Sequence, residues 1–123
     1  TVSQLPTGQP LTVEIRYNAP HPMPDPIIGV TLSRPDGFVV YDTSTEAAEI
    51  VLPQLVGVGR VCLHLARLDL LPGKYFVDVG IYKRQWAYAY DYHWHTYPLE
   101  IIGEPGEKGV LSQPHTWEFA ADE

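Results

Sequence analysis

Apolar and polar residues alternate with a period of two along several short stretches of the chain. From Leu11 to Tyr17, the side chains of Leu11, Val13, Ile15 and Tyr17 share one face, and Thr12, Glu14 and Arg16 share the other. That is the pattern of a half-buried strand. Gly59–Leu65 repeats it, with Val61, Leu63 and Leu65 inward and Arg60, Cys62 and His64 outward. Lys74–Tyr82 sets Val77, Val79 and Ile81 against Phe76, Asp78 and Tyr82. After a tight loop near 83–85, Trp86–His95 reads as its antiparallel partner. Ile27–Ser33 and Phe38–Asp42 flank Arg34-Pro35-Asp36-Gly37, which carries proline and glycine where a type I turn prefers them. Leu99–Ile102, Gly109–Leu111 and Thr116–Phe119 complete the set. Thr1–Pro10 reads as a polar lead-in, and Thr43–Glu49 is the one stretch with helical character.

The segment Ala19–Pro26 has proline at every second position from Pro20 on. Lacking an amide hydrogen, those residues cannot sit inside a ladder, so the segment is expected as an extended loop or an edge. Twelve prolines and ten glycines in 123 residues argue against helical bundles and doubly wound α/β domains. The expectation is therefore all-β: a single domain over 1–123, built as an antiparallel β-sandwich of eight to ten short strands.

Charge narrows the function. Eight Lys and Arg face fifteen Asp and Glu, a formal net charge of −7, and Lys83-Arg84 is the only adjacent basic pair. Such a surface disfavours nucleic acid and anionic lipid. No run of eighteen apolar residues is present to span a membrane. Cys62 is the single cysteine, which suits a reducing compartment. The start at Thr1 reads as that of an excised or processed piece.

A succession of short motifs then carries a family resemblance. Thr7-Gly8-Gln9-Pro10-Leu11 leads into the first alternating strand. Asp25-Pro26-Ile27-Ile28-Gly29-Val30, Ser33-Arg34-Pro35-Asp36-Gly37 and Val40-Tyr41-Asp42-Thr43-Ser44-Thr45 follow. Leu70-Leu71-Pro72-Gly73-Lys74-Tyr75, Tyr90-Asp91-Tyr92 and Gly109-Val110-Leu111 before His115-Thr116-Trp117 complete the series. In this order they resemble the C-terminal carbohydrate-binding domain of the ATP-binding subunit of O-antigen polysaccharide ABC exporters, the Wzt type. The resemblance implies an immunoglobulin-like, jelly-roll-like sandwich that dimerises, binds the terminal part of a polysaccharide and selects it for export. It also implies partners: a parent ATPase domain and membrane subunits, hence a place at the inner face of the cytoplasmic membrane. No phosphate-loop motif occurs in this chain.

The chemistry-bearing residues cluster late in the chain. Seven of fourteen aromatics lie between Tyr82 and Tyr97, and Trp86, Tyr88, Tyr90, Tyr92 and Trp94 would share one strand face. Aromatic faces pack on the C–H faces of pyranose rings, while carboxylates and amides match hydroxyls. An even-length hairpin loop after Tyr82 would place the aromatic row beside Val77, Val79 and Ile81 as core. An odd one would place it beside Asp78 and Tyr82 as a platform. The expected sugar contacts are Tyr82, Trp86, Asp78, Asp91 and His93, with Arg16 as a neighbour.

A competing reading is a cupin-like metal enzyme, because His93-x-His95 followed by Glu100 has the order of a cupin ligand motif. A third is a sandwich that only dimerises its parent subunit. The proline-rich Pro20–Pro26 leaves neighbouring edge strands to be covered, so with the resemblance a homodimer is expected, with a C-terminal strand around Thr116–Phe119 exchanged between copies. No nucleophile constellation or carboxylate pair argues for catalysis. The expectation is a non-catalytic binding module without a cofactor.

Overall fold

A computed structural model describes residues 3–52, 54–83, 89–104 and 106–121, with backbone alone for 89–96. The described residues form seven strands in two sheets: β1 (Ser3–Pro6), β2 (Leu11–Met23), β3 (Pro26–Ser33), β4 (Val39–Ser44), β5 (Leu55–Leu65), β6 (Gly73–Lys83) and β7 (Ala89–Ile102). One sheet has the order β1-β7-β6-β3-β4, and the other pairs β2 with β5. All pairings are antiparallel except β1 with β7, which is parallel.

This is the variable-type immunoglobulin arrangement, with β7, β6, β3 and β4 in one layer and β2 and β5 in the other. A tyrosine corner supports it. Near the start of β6, the buried Tyr75 donates its phenolic hydrogen to the Leu71 carbonyl four residues upstream, at 2.7 Å. Burial pushes the Tyr75 phenol above its ordinary pKa.

The inward rows meet as expected from the alternation. Ile28, Val30, Leu32, Val77 and Ile81 from the large sheet pack toward Ile15, with Leu11, Val13, Val61 and Leu63 partly buried around them. Leu32 and Ile101 are the largest fully buried side chains.

Five details differ from the sequence expectation. The strands expected to end at His95 and to start at Leu99 are one, β7 (Ala89–Ile102). The lead-in contains a strand, because Ser3–Pro6 finds the edge of β7 at Leu99–Ile102. β5 begins at Leu55, four residues before Gly59. Thr43–Glu49 forms no helix. Ser44 caps the Ala47 amide at 3.0 Å, and Glu49 adopts φ of 57°, which ends the coil after one turn. Thr116–Phe119 is not a strand in the single chain, and Leu111 makes only a bridge to Leu70. The strands therefore number seven among the described residues, fewer than eight to ten.

The proline-rich segment is an edge. Between Ala19↔Gly57 and Met23↔Leu55, β2 advances four residues while β5 advances two, and Pro20, His21 and Pro22 occupy that bulge. Asp25, at φ of 49°, then turns the chain from the small sheet into the large one.

Candidate functional site

The outer face of the five-stranded sheet carries a trough whose floor exists because two strands each hold a glycine at the same level. Gly29 of β3 and Gly80 of β6 are register partners. Glycine inside a strand weakens it and marks a place where something approaches the backbone closely. Here it is an aromatic ring. A Cβ added at Gly80 would lie 2.6 Å from Tyr82 Oη and 2.7 Å from Cζ and Cε2, so the Tyr82 ring rests on the Gly80 backbone. Tyr82 is only half buried, so part of the ring borders the trough.

One level along the strands, three polar residues stand abreast: Asp42 on β4, Thr31 on β3 and Asp78 on β6. Thr31 Oγ1 donates to Asp42 Oδ1 at 2.9 Å. Asp78 is 3% exposed and accepts from Ser33 Oγ at 3.3 Å, which fixes its carboxylate inside the sheet face. Asp42 is exposed at the rim. The trough has a volume of about 230 Å³, below the range of roughly 300–1,000 Å³ typical of drug-sized ligand sites and suited to a single sugar ring.

Of the residues expected in the site, the fold brings together Asp78 and Tyr82. Asp91 and His93 lie on the adjacent β7, in register with Ile81 and Val79, while Tyr92 is in register with Gly80. Tyr92 thus shares a level with the trough floor. Trp86 lies outside the described residues.

Arg16 does not join the trough. β2 belongs to the other sheet, and the Arg16 side chain is 79% exposed, 3.4 Å from Glu14 on that sheet's outer surface. The same Glu14 also meets Arg60 across the strand pair at 3.3 Å.

The register also bears on the cupin-like reading. His93 pairs with Val79 and Glu100 with Lys74, so five residues of β6, about 17 Å of strand, separate their levels. A metal gathers His and carboxylate ligands at about 2 Å each, which suits neighbouring positions rather than opposite ends of a strand. Glu100 instead accepts from Gln4 Nε2 at 2.8 Å.

Thr31, Asp42, Gly29 and Gly80 were not singled out from the sequence. The available signal was an interior glycine in each of two strands, Ile27-Ile28-Gly29-Val30 and Val77-Asp78-Val79-Gly80-Ile81. Which strands become neighbours is a tertiary fact that the local pattern does not contain.

Comparison with known proteins supplies the context. Residues 1–112 match the sequence profile of the Wzt C-terminal domain. The chain belongs to the Wzt C-terminal domain family. Its fold is similar to a crystal structure described as the C-terminal domain of Wzt, with a TM-score of 0.79 at 18% identity, covering 95% of this chain and 74% of that one. None of the curated proteins matches the chain. Membership in the Wzt C-terminal domain family supports a carbohydrate-binding role in O-antigen export and association with an ABC transporter.

Proposed function

We propose that this domain is a non-catalytic glycan-recognition module that holds the terminal part of an O-antigen-type polysaccharide on the outer face of its five-stranded sheet. The observation that carries this reading is the trough itself: a Tyr82 ring laid on Gly80 beside Asp78, Thr31 and Asp42. A sugar ring would lay its C–H face on the phenol while its hydroxyls donate to the carboxylates and exchange bonds with Thr31. Trp86 is proposed to extend the site from the hairpin after β6, whereas Asp91 and His93, in register with the inward Ile81 and Val79, are not assigned to it. The domain would act beside its parent ATPase at the inner face of the cytoplasmic membrane, selecting the chain for export.

A glycan array tests the reading. The wild-type chain is expected to retain O-antigen-type polysaccharides, and Tyr82→Ala to weaken binding by about 1–3 kcal/mol while leaving the fold intact, the scale of losing an aromatic anchor. Binding of no glycan, or equal binding by Tyr82→Ala, would contradict it.

The domain is also proposed to work as a homodimer. β2 is paired on one side only, and at its open edge a cleft of about 710 Å³ runs between the sheets, bordered by Leu11, Ile15, Tyr17, Val77 and Ile81. The chain after Ser112, whose amide is tied to Asp69, runs out with Trp117 and Phe119 each 91% exposed. Thr116-Trp117-Glu118-Phe119 alternates as a strand does, so exchanged onto a partner's β2 it would cover the edge and seat both rings in the cleft. Light scattering should give a dimer, converted to monomer by removing residues 113–123. A wild-type monomer at high micromolar concentration would refute the exchange.

A further inference from the structure

Resting on the strand exchange proposed above, we infer that Glu118 of one copy docks on Arg16 of the other. This pair sets the register of the exchanged segment and makes the interface select a second copy of the same chain. The tail supplies the geometry. In Thr116-Trp117-Glu118-Phe119 an extended backbone sends Trp117 and Phe119 to one side and Glu118 to the other. Both rings and Glu118 are exposed in the single chain. Seating the rings in the cleft therefore turns Glu118 onto the outer surface of the small sheet. There it meets the outward row of β2, which is Thr12, Glu14, Arg16 and Asn18.

Apolar pattern alone leaves the register open in steps of two, because the rings could sit beside any pair of inward residues from Leu11 to Ala19. Charge decides among them. Beside Val13 and Ile15, Glu118 would face Glu14; beside Ile15 and Tyr17, it faces Arg16, whichever way the segment runs. Arg16 is suited to a second carboxylate. Its side chain is 79% exposed, and its Nε lies 3.4 Å from Glu14 Oε1. The same oxygen accepts from Arg60 Nη1 at 3.3 Å, and Arg60 stands directly opposite Arg16 in the β2–β5 ladder. Two guanidiniums thus share one carboxylate oxygen across a pairing of like charges, which is unfavourable in a sheet. Each guanidinium carries five N–H donors, so an incoming carboxylate finds donors and relieves the repulsion.

A two-fold dimer makes every such contact twice. The test therefore uses charge exchange in the full chain: Arg16→Glu, Glu118→Arg, and both changes together. Both positions are exposed, and circular dichroism verifies that each variant folds. Light scattering over a dilution series reads the dimer. Each single change brings like charges together at both contacts and is expected to weaken dimerisation about tenfold. The double change restores opposite charges and should recover most of the loss. The sharpest outcome comes from mixing the two single variants, one of them carrying a mass tag. In the mixed dimer both contacts unite opposite charges, so native mass spectrometry should find it well above the half that random pairing gives.

A mixture at the random ratio, or single variants that dimerise as the wild type does, would overturn the pair. The exchange itself would still stand if removing residues 113–123 yields a monomer. A wild-type monomer, or a dimer that survives that removal, would refute the exchange and the pair with it.

Discussion

The two outer faces of the sandwich are both polar, yet they treat charge in opposite ways. On the two-stranded sheet, Glu14 lies 3.4 Å from Arg16 and 3.3 Å from Arg60, and Thr12 Oγ1 is 3.0 Å from His64 Nδ1. These groups satisfy one another across β2 and β5. On the five-stranded sheet, Asp42 and Asp78 are tied to hydroxyls of Thr31 and Ser33, and no cation is among the described residues lining their trough. Both sheets also carry a tyrosine ring on a strand glycine, Tyr17 over Gly59 on the inward side of the small sheet and Tyr82 over Gly80 on the outward side of the large one. The ring over Gly59 is packed against the core cluster, whereas the ring over Gly80 borders an open trough. A charged sheet face is therefore no evidence of a binding site by itself, and the trough is proposed as one for its aromatic surface beside hydroxyl-matching groups.

The largest perturbation should strike both faces alike. Leu32 is fully buried between the layers, and Leu32→Ala is expected to cost about 2–5 kcal/mol of stability by thermal or denaturant unfolding. Loss of stability below 1 kcal/mol would show that the sheets do not share this core as described.

The matched glycines separate the faces. Gly80→Ala should displace the Tyr82 ring and weaken glycan binding by about 1–3 kcal/mol in titration, with a small change in melting temperature. Gly59→Ala should displace Tyr17 instead, costing roughly 1–3 kcal/mol of stability through overpacking, with affinity unchanged. Reversed outcomes would exchange the roles of the two faces. A smaller effect is expected at Glu14→Gln. The pairs it breaks are exposed, so unfolding should move by less than about 1 kcal/mol and binding not at all.

The smallest effect concerns acid. The Phe38 amide, at 3.0 Å, and then the Arg34 guanidinium hold the Asp36 carboxyl below its ordinary value of 3.8 in the β3–β4 turn. A lowered folded pKa means that its stabilisation is present above the unfolded value and fades as pH falls through the folded one. Asp36→Asn should thus flatten the acid limb of the stability profile below about pH 4 and leave the neutral region nearly unchanged.

How much was legible follows from the range of each signal. β2 and β6 were visible because burial on one face forces alternation, as Leu11, Val13 and Ile15 show. The start of β5 was hidden because Val56 and Val58 are exposed valines around Gly57, which breaks the pattern. β1 was invisible because only its parallel pairing with β7, nearly a hundred residues away, makes it a strand. Thr116–Phe119 has the strand pattern without a strand partner in the described chain. At the site, Asp78 and Tyr82 could be named because they sit two pleats apart on one strand. Thr31 and Asp42 could not, since their place beside Asp78 depends on which strands adjoin β6. Arg16 was grouped with them because the polar rows of β2 and β6 look alike until the sheets are assigned.

The central claim is that the glycan lies on the outer face of the five-stranded sheet. Amide chemical-shift mapping, during titration of the labelled domain with the polysaccharide its array selects, tests this most directly. Shifts are expected to concentrate at Thr31, Asp42, Asp78, Gly80 and Tyr82, with β2 and β5 silent. Shifts concentrated at Glu14, Arg16, Arg60 and His64 would contradict it.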